Sequence, residues 1–367
     1  MSGAIEIPAV AEAMKFIAMT PKTTFSLIGV GFVGGLLSGF LGSGGAFIMT
    51  PAMMSMGVPG IMAVAANITH KFGKAIMGSK KHGEFGNVDK KMGVVMFIAL
   101  LAGVQLAVMV SKGILNKMGP AGSNMYISAI FVVILSWVTI FMYRDIASQR
   151  NKTSGKAAGS GGLAEKIRNL NIPPMIHFKV ANVRTSLWLA LLVGLATGFL
   201  AGTIGVGGFV GVPAMIYLLG VPTYVAAGTE LFLAIFSGMQ GAFLYSLYGY
   251  VDLRIVVLLY LGSLVGVTIG AVGTRVVRGS QIKLVMVSVI AMVAVSRFTM
   301  IPKYMAEMGY LTLSKSTADA LVTVSNVFLF GSGAIGCAII LFWMYQALRR
   351  AKACDVKESY TPEAHLS

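Results

Sequence analysis

Hydrophobic positions run through this chain in long blocks, and polar residues interrupt them at regular intervals. Apolar segments fall at about 24–41, 46–57, 60–79, 92–111 and 124–143, then at about 185–201, 208–219, 222–248, 254–274 and 281–300. One more follows at about 320–346. Blocks such as 92–111, 255–274 and 321–345 reach the roughly 20 apolar residues that a helix needs to cross a bilayer. The second segment of each set is short, which predicts a steep short crossing or a re-entrant half-helix. The two sets are also copies of one another, at a fixed offset of 163 residues. Gly31, Gly35, Gly39, Gly42, Gly44 and Gly45 return as Gly194, Gly198, Gly202, Gly205, Gly207 and Gly208. Gly57-Val58-Pro59 returns as Gly220-Val221-Pro222, and Gly86, Val88 and Asp89 return as Gly249, Val251 and Asp252.

This pattern predicts an all-α fold: a polytopic membrane helical bundle built from two repeats of about five hydrophobic segments, with glycine-broken short helices. The layout is an amphipathic N-terminal segment at 1–24, a first transmembrane repeat at 25–143 and a basic cytoplasmic linker at 144–184. A second repeat at 185–300, an external loop at 301–319, a final transmembrane helix at 320–347 and a cytoplasmic tail at 348–367 complete it. The linker reads as flexible, with a short surface helix. Doubled, glycine-interrupted hydrophobic units are the pattern of secondary transporters, whose halves meet around a substrate near the bilayer midplane.

Composition agrees with a membrane protein. Hydrophobic residues make up 56% and charged residues 11% of the chain, against about 25% charged in an ordinary soluble domain. Mean hydropathy is +0.81. The net charge of +16 sits mostly in loops, where Lys and Arg report orientation and meet anionic headgroups. No basic segment forms a folded recognition module, so nucleic acid is not the expected partner. Cys337 and Cys354 form no Cys-x-x-Cys or Cys/His cluster, and neither a disulfide framework, a zinc site nor any cofactor is expected. Glu12 and Lys15 interrupt the first apolar stretch, so the first 24 residues do not read as a cleaved leader.

Charge also orients the chain. The linker holds eight basic residues against two acidic ones and is placed in the cytoplasm. If every segment crosses, 19 basic residues lie inside and 7 outside; if the short segments do not cross, the split is 17 against 9. The first arrangement obeys the positive-inside rule better. Five crossings per repeat is an odd number, so the second half starts on the opposite face. The repeats are then expected to be inverted, the arrangement used for alternating access. The N-terminus falls outside and the C-terminus in the cytoplasm.

Four features carry candidate chemistry. The stripes at Gly31, Gly35 and Gly39 and at Gly194, Gly198 and Gly202 place small residues on one helix face, and close helix packing explains them. The breaks Gly42-Ser43-Gly44-Gly45 and Gly205-Val206-Gly207-Gly208 are denser. A break inside the membrane exposes backbone N–H groups that protein, water or ligand must satisfy. Each precedes a half-helix whose N-terminus suits an anion. Ser43, Gly44, Gly45, Val206, Gly207 and Gly208 are therefore candidate substrate-binding residues, with a purely structural kink as the alternative. Asn67, His70, Lys71 and Lys74 are spaced to share one helical face inside the membrane. Ionisable residues there usually line a cavity or pathway, although Lys74 also lies within snorkelling reach of the headgroups. Glu230 aligns with Asn67 across the repeat, follows Thr229, and shares a rough face with Ser237 and Gln240. It reads as a proton carrier, a gate or a partner for Lys71 across the interface between the halves; a structural ion pair is the alternative. Asp89 and Asp252 read as helix N-caps, and the Met-rich stretch from Met49 to Met62 as packing.

These residues carry a resemblance. Ser38-Gly-Phe-Leu-Gly-Ser-Gly-Gly-Ala-Phe-Ile-Met-Thr-Pro51 and Ala201-Gly-Thr-Ile-Gly-Val-Gly-Gly-Phe-Val-Gly-Val-Pro213 resemble the paired signature of the TauE/SafE (sulfite exporter) family of membrane transporters. Gly228-Thr229-Glu230-Leu231 resembles the small-Thr-polar-Leu box that follows the second copy. The resemblance covers about residues 25–300. It implies export or uptake of small anionic sulfur compounds, such as sulfite or organosulfonates, across the bacterial inner membrane. It also implies a substrate site between the halves.

The expectation is a secondary transporter of a small anion, and not an enzyme. Ser43–Gly45, Val206–Gly208, Asn67, His70, Lys71, Lys74, Thr229 and Gln240 are the candidate substrate-binding residues, and Glu230 is the coupling or gating residue. The alternative is a cation or soft-metal transporter using Met, His70 and Glu230. The expected partners are the small anion and the lipid bilayer, and the glycine stripes leave a homodimer open.

Overall fold

The computed structural model describes residues 17–41, 47–151, 172–276 and 279–358. Ser43, Gly44 and Gly45 lie outside the described residues, as do residues 1–16 of the N-terminal segment and 152–171 of the linker. The described chain forms helices α1 (Pro21–Leu41), α2 (Met49–Ser55), α3 (Gly60–Glu84), α4 (Lys90–Asn151), α5 (Leu187–Ile204) and α6 (Gly208–Tyr217). It continues as α7 (Thr223–Leu247), α8 (Leu253–Val276), α9 (Gly279–Glu307) and α10 (Lys315–Glu358). Strands β1 (Met175–Phe178) and β2 (Val183–Ser186) pair antiparallel just before α5.

One pair of helices at the sequence offset matches in length and in how it begins. α3 and α7 are both 25 residues long, and the offset carries the bounds of one onto the other. Both follow Gly-Val-Pro, and Pro59 and Pro222 stand at the two N-caps with φ −53° and −57°, near the value that the proline ring imposes. α4 is bent where Gly119 adopts φ 66° before Pro120, so its two limbs cross the membrane separately.

The glycine stripes set how the halves interlock. Gly31 and Gly35 of α1 lie against the backbone of Leu259 and Ser263 in α8. Gly194 and Gly198 of α5 lie against the backbone of Met96 and Leu100 in α4. The second set of contacts is the first moved by the repeat offset. A Cβ at any of these positions would enter the partner's backbone, so the need for a small residue is steric. α1 and α8 run in the same direction, as do α5 and α4. α3 and α7 cross antiparallel at the centre, where Gly78 meets Leu231 and Gly241 meets Ile68. Each half therefore packs its first helix on the other half. α10 lies outside the repeat and packs on α9, α8 and α1.

Seven of the described helices are long and apolar enough to cross a membrane. α3 is as long as α7 but carries the polar stripe. α2 and α6, with 7 and 10 residues, rise only about 10 and 15 Å, well short of the roughly 30 Å hydrocarbon core. Neither is long enough to span alone. Trp137, Phe243, Val257 and Phe298 are exposed on the outer surface, as lipid-facing side chains are.

Two features differ from the sequence reading. Residues 152–171 of the linker lie outside the described residues, while from residue 172 to the start of α5 the chain carries the β1–β2 hairpin, which is not in the sequence reading. Asp89 holds it: Oδ2 accepts the N–H groups of Val180 and Ala181 at 3.1 Å each, while Oδ1 caps α4 by accepting the N–H of Met92 at 3.0 Å. Four-residue strands give too little alternation to read. α9 and α10 also reach into the stretch read as an external loop at 301–319, and leave only 308–314 between them.

Candidate functional site

The breaks in the two halves meet at the centre of the bundle. α5 ends at Gly205, whose φ of 79° is the left-handed value that stops a helix cleanly. Thr50, at the start of α2, donates through Oγ1 to the terminal carbonyl of Ile204 at 3.1 Å and accepts from Asn67 Nδ2 at 2.9 Å. The Phe47 and Phe209 rings stand 5.1 Å apart across the same junction. Thr50 thus bridges the short helix of one half to the helix end of the other, and Asn67 holds Thr50 in place.

Glu230 stands at the equivalent place on α7. Its carboxylate lies against Gly208, the first residue of α6; a Cβ there would collide with Oε1, Cδ and Oε2. The glycine is what allows a carboxylate this close to a helix N-terminus, where negative charge is favoured. Lys71 of α3 donates to Glu230 Oε1 at 2.9 Å, and both side chains are almost wholly buried. Glu230 Oε2 is buried with no hydrogen-bond partner among the described residues. The ion pair therefore joins the two halves with one carboxylate oxygen unsatisfied.

The remaining polar side chains of α3 turn towards different neighbours. His70 is fully buried, with Nε2 2.6 Å from Ser263 Oγ and its ring 4.7 Å from that of Tyr260. Lys74 donates to Ser38 Oγ at 2.6 Å and so points inward to α1 instead of snorkelling. Beside it lies a cavity of about 510 Å³, whose polar lining includes Ser38, Lys74, Lys81, His82, Tyr260 and Ser263. Among the described residues no carboxylate lines it, and its charged lining is cationic. Lys74 and Leu231 on its wall are neighbours in sequence of Lys71 and Glu230.

The offset maps Ser38, Lys74, Lys81 and His82 of this cavity onto Ala201, Ser237, Leu244 and Tyr245. There Tyr245, a large side chain, is fully buried and donates to the carbonyl of Gly202 at 2.7 Å. The ammonium of Lys112 sits 3.8 Å over the ring of Tyr248 nearby.

Ser43, Gly44 and Gly45 lie outside the described residues; of the ten other expected site residues, eight gather and two do not. Asn67, His70, Lys71, Lys74, Gly208 and Glu230 surround the junction, with Val206 and Gly207 in the adjoining break. Thr229 Oγ1 accepts the N–H of Asp89 at 3.0 Å and so helps hold the turn before α4. Gln240 lies ten residues beyond Glu230 on α7, about 15 Å along the axis. Thr50, Ser38, Tyr260 and Ser263 belong to the junction and were not singled out in the sequence. Ser38 and Thr50 sit inside the first glycine motif, and Tyr260 and Ser263 interrupt an apolar segment; isolated polar groups in a span are the signal that could have found them. Met49, Met53, Met54 and Met62 are buried in packing. Among the described residues no three His, Cys, Asp or Glu side chains cluster as a metal site would require.

Comparison with known proteins agrees with this architecture. A family model described as "Sulfite exporter TauE/SafE" matches residues 27–297. The chain is similar to "Probable membrane transporter protein YunE" of Bacillus subtilis (strain 168), 23% identical over 271 residues that cover 71% of this chain and 92% of the relative. It is also similar to "Probable membrane transporter protein YdhB" of the same organism, 24% identical over 252 residues, 67% of this chain and 88% of the relative. No solved structure matches the chain.

Proposed function

The chain belongs to the sulfite exporter TauE/SafE family of membrane transporters, and from that premise we propose that it moves a small anion, sulfur-containing such as sulfite or an organosulfonate, by alternating access between two inverted repeats. The observation that carries this reading is the buried Lys71–Glu230 pair at the junction of the halves, one helical turn from Lys74, which lines a cavity whose charged lining among the described residues is cationic.

Lys74 is the first docking point for an anion entering the cavity. Glu230 is the anion's internal competitor. While ionised, it neutralises Lys71 and occupies the N-terminus of α6. A proton on Glu230 removes that charge, and an anion then takes its place against Lys71 and the helix N-terminus. Anion and proton thereby move together. Glycine at 208 keeps the helix N-terminus accessible to either.

Helix directions support the inverted arrangement. α8 turns back from α7 and α4 from α3; with α1 parallel to α8 and α5 parallel to α4, the corresponding helices α1 and α5 run oppositely. The open cavity lies at the Lys80–Lys81 end of α3, which the positive-inside rule places in the cytoplasm. The conformation is then inward-facing, with Tyr245 closing the outer side.

The test is uptake of labelled sulfite and of a small organosulfonate into proteoliposomes. Lys71→Ala is expected to abolish uptake, and Lys74→Ala to raise the half-saturating concentration about tenfold or more, as for loss of one charge-assisted hydrogen bond. Uptake indifferent to both substitutions would remove this site from the transport path.

A further inference from the structure

A second buried cation, on α9, has no ion-pair partner among the described residues. Arg297 of α9 is fully buried. Its Nη2 donates to Ser55 Oγ at 3.1 Å, Ser296 Oγ at 3.1 Å and Ser325 Oγ at 3.0 Å. Its Nε and Nη1 are buried too, with no hydrogen-bond partner among the described residues. None of the ion pairs among those residues includes it.

The chemistry of this arrangement is unbalanced. A guanidinium is charged at any pH a protein survives, and buried charges are ordinarily paired. Three serine hydroxyls all serve a single nitrogen. The C-terminus of α2, at Ser55, offers only the partial charge of a one-turn helix end. The donors left over are Nε and Nη1, which sit on the two different edges of the guanidinium fork, each edge shared with Nη2, so an oxyanion or halide on either edge lies beside the serine hydroxyls around Nη2. The Ser55 hydroxyl beside them can turn to donate as well, and Ser325 Oγ, which donates to the Ser296 carbonyl at 2.9 Å, can do so by giving up that bond. The offset partner of Arg297 is Ile134, so this feature belongs to one half only and is not a shadow of the repeat.

We infer that Arg297, with Ser55, Ser296 and Ser325, binds a small inorganic anion in a site separate from Lys71 and Lys74. The bound anion completes the charge of a cluster that joins α2, α9 and α10, so its occupancy fastens the extra helix α10 to the repeats. No residue is shared with the cavity beside Lys74. A chloride ion and the transported anion offer the same chemistry here, and the experiment separates them.

The measurement is thermal unfolding of the full chain in detergent. Sodium gluconate is exchanged for sodium chloride at constant ionic strength, and sulfite is titrated separately. A ligand that binds only the folded protein raises its melting temperature with concentration. A saturable rise with chloride is expected, present in Lys74→Ala and absent in Arg297→Met. A rise with sulfite alone, also absent in Arg297→Met, would likewise support the site and assign it to the transported anion. Should Arg297→Met not fold, Ser325→Ala serves: the midpoint for the anion is expected to rise about tenfold, as for one charge-assisted hydrogen bond. No anion dependence in the native chain, or a dependence unchanged in Arg297→Met or Ser325→Ala, overturns the inference. Either result leaves uptake through the Lys71 site to be judged by its own assay.

Discussion

Lys71 Nζ lies 2.9 Å from Glu230 Oε1, and the pair ties α3 to α7, the two helices that hold equivalent places in the repeats. An ion pair taken wholly out of water gives little net stability, because desolvation offsets the attraction. Its members are nonetheless mutually dependent: truncating one leaves the other charged, buried and unpaired.

That dependence gives a stability prediction. Lys71→Met or Glu230→Leu alone is expected to cost about 3–5 kcal/mol, whereas the double substitution is expected to cost far less than the sum. The check is a double-mutant cycle on thermal unfolding in detergent. Neither single nor double variant should transport. Additive losses would mean that the two residues do not meet as a pair in the folded protein.

Coupling is testable at Glu230 without unfolding the protein. Glu230→Gln keeps the shape and removes the charge, so it imitates the protonated state. Exchange of labelled for unlabelled anion is expected to persist. Accumulation driven by an imposed pH gradient is expected to vanish. A variant that still accumulates anion in response to the gradient would place the coupling proton on another group.

Gly208 and Gly198 look alike in the sequence and should behave differently. At Gly208 an added Cβ meets the Glu230 carboxylate; at Gly198 it meets the backbone of Leu100. Gly208→Ala is expected to fold, since a side chain can give way, and to lose uptake because Glu230 is displaced. Gly198→Ala forces two helices apart and is expected to cost about 1–3 kcal/mol of stability, as overpacking does, with KM unchanged in whatever protein survives. Unfolding in both variants, or activity in both, would erase the distinction between a binding break and a packing stripe.

The differing roles of these two glycines mark where sequence reading stops. The fold was legible because hydrophobic blocks and the offset report helices directly, and the stripes at Gly31 and Gly194 named the helix faces that pack. Their partners, Leu259 and Met96, were not legible, since nothing in an apolar run says which neighbour it touches. At the junction, Lys71 and Glu230 stood out because charge inside a span is costly. Ser38, Thr50 and Ser263 did not, because a serine or threonine is cheap in a membrane helix when it bonds its own backbone. Arg297 was as visible as Lys71, a lone ionisable group in an apolar segment. Its offset partner is Ile134, so the repeat does not mark it, and only the fold shows how deeply it is buried. The hairpin at Met175–Ser186 was hidden by its length.

The closed side of the junction yields a prediction about conformation. Tyr245 donates to the Gly202 carbonyl at 2.7 Å in the place equivalent to His82 of the open cavity. If Tyr245 is a gate, its hydroxyl favours the inward-facing state, because that bond must break when the outer side opens. Tyr245→Phe removes about 1 kcal/mol from the closed side, which raises the outward-facing population several-fold by simple population shift. Ser237, the counterpart of Lys74, lies behind this closure and is buried. In a Ser237→Cys background freed of its native cysteines, a membrane-impermeant maleimide added from outside is expected to label faster when Tyr245 is replaced by Phe. Excess transported anion is expected to alter that rate, since the two faces bind it in turn. Equal labelling with tyrosine and phenylalanine would show that this hydroxyl holds only local packing, and the gate would have to be sought among Tyr248, Tyr250 and Lys112.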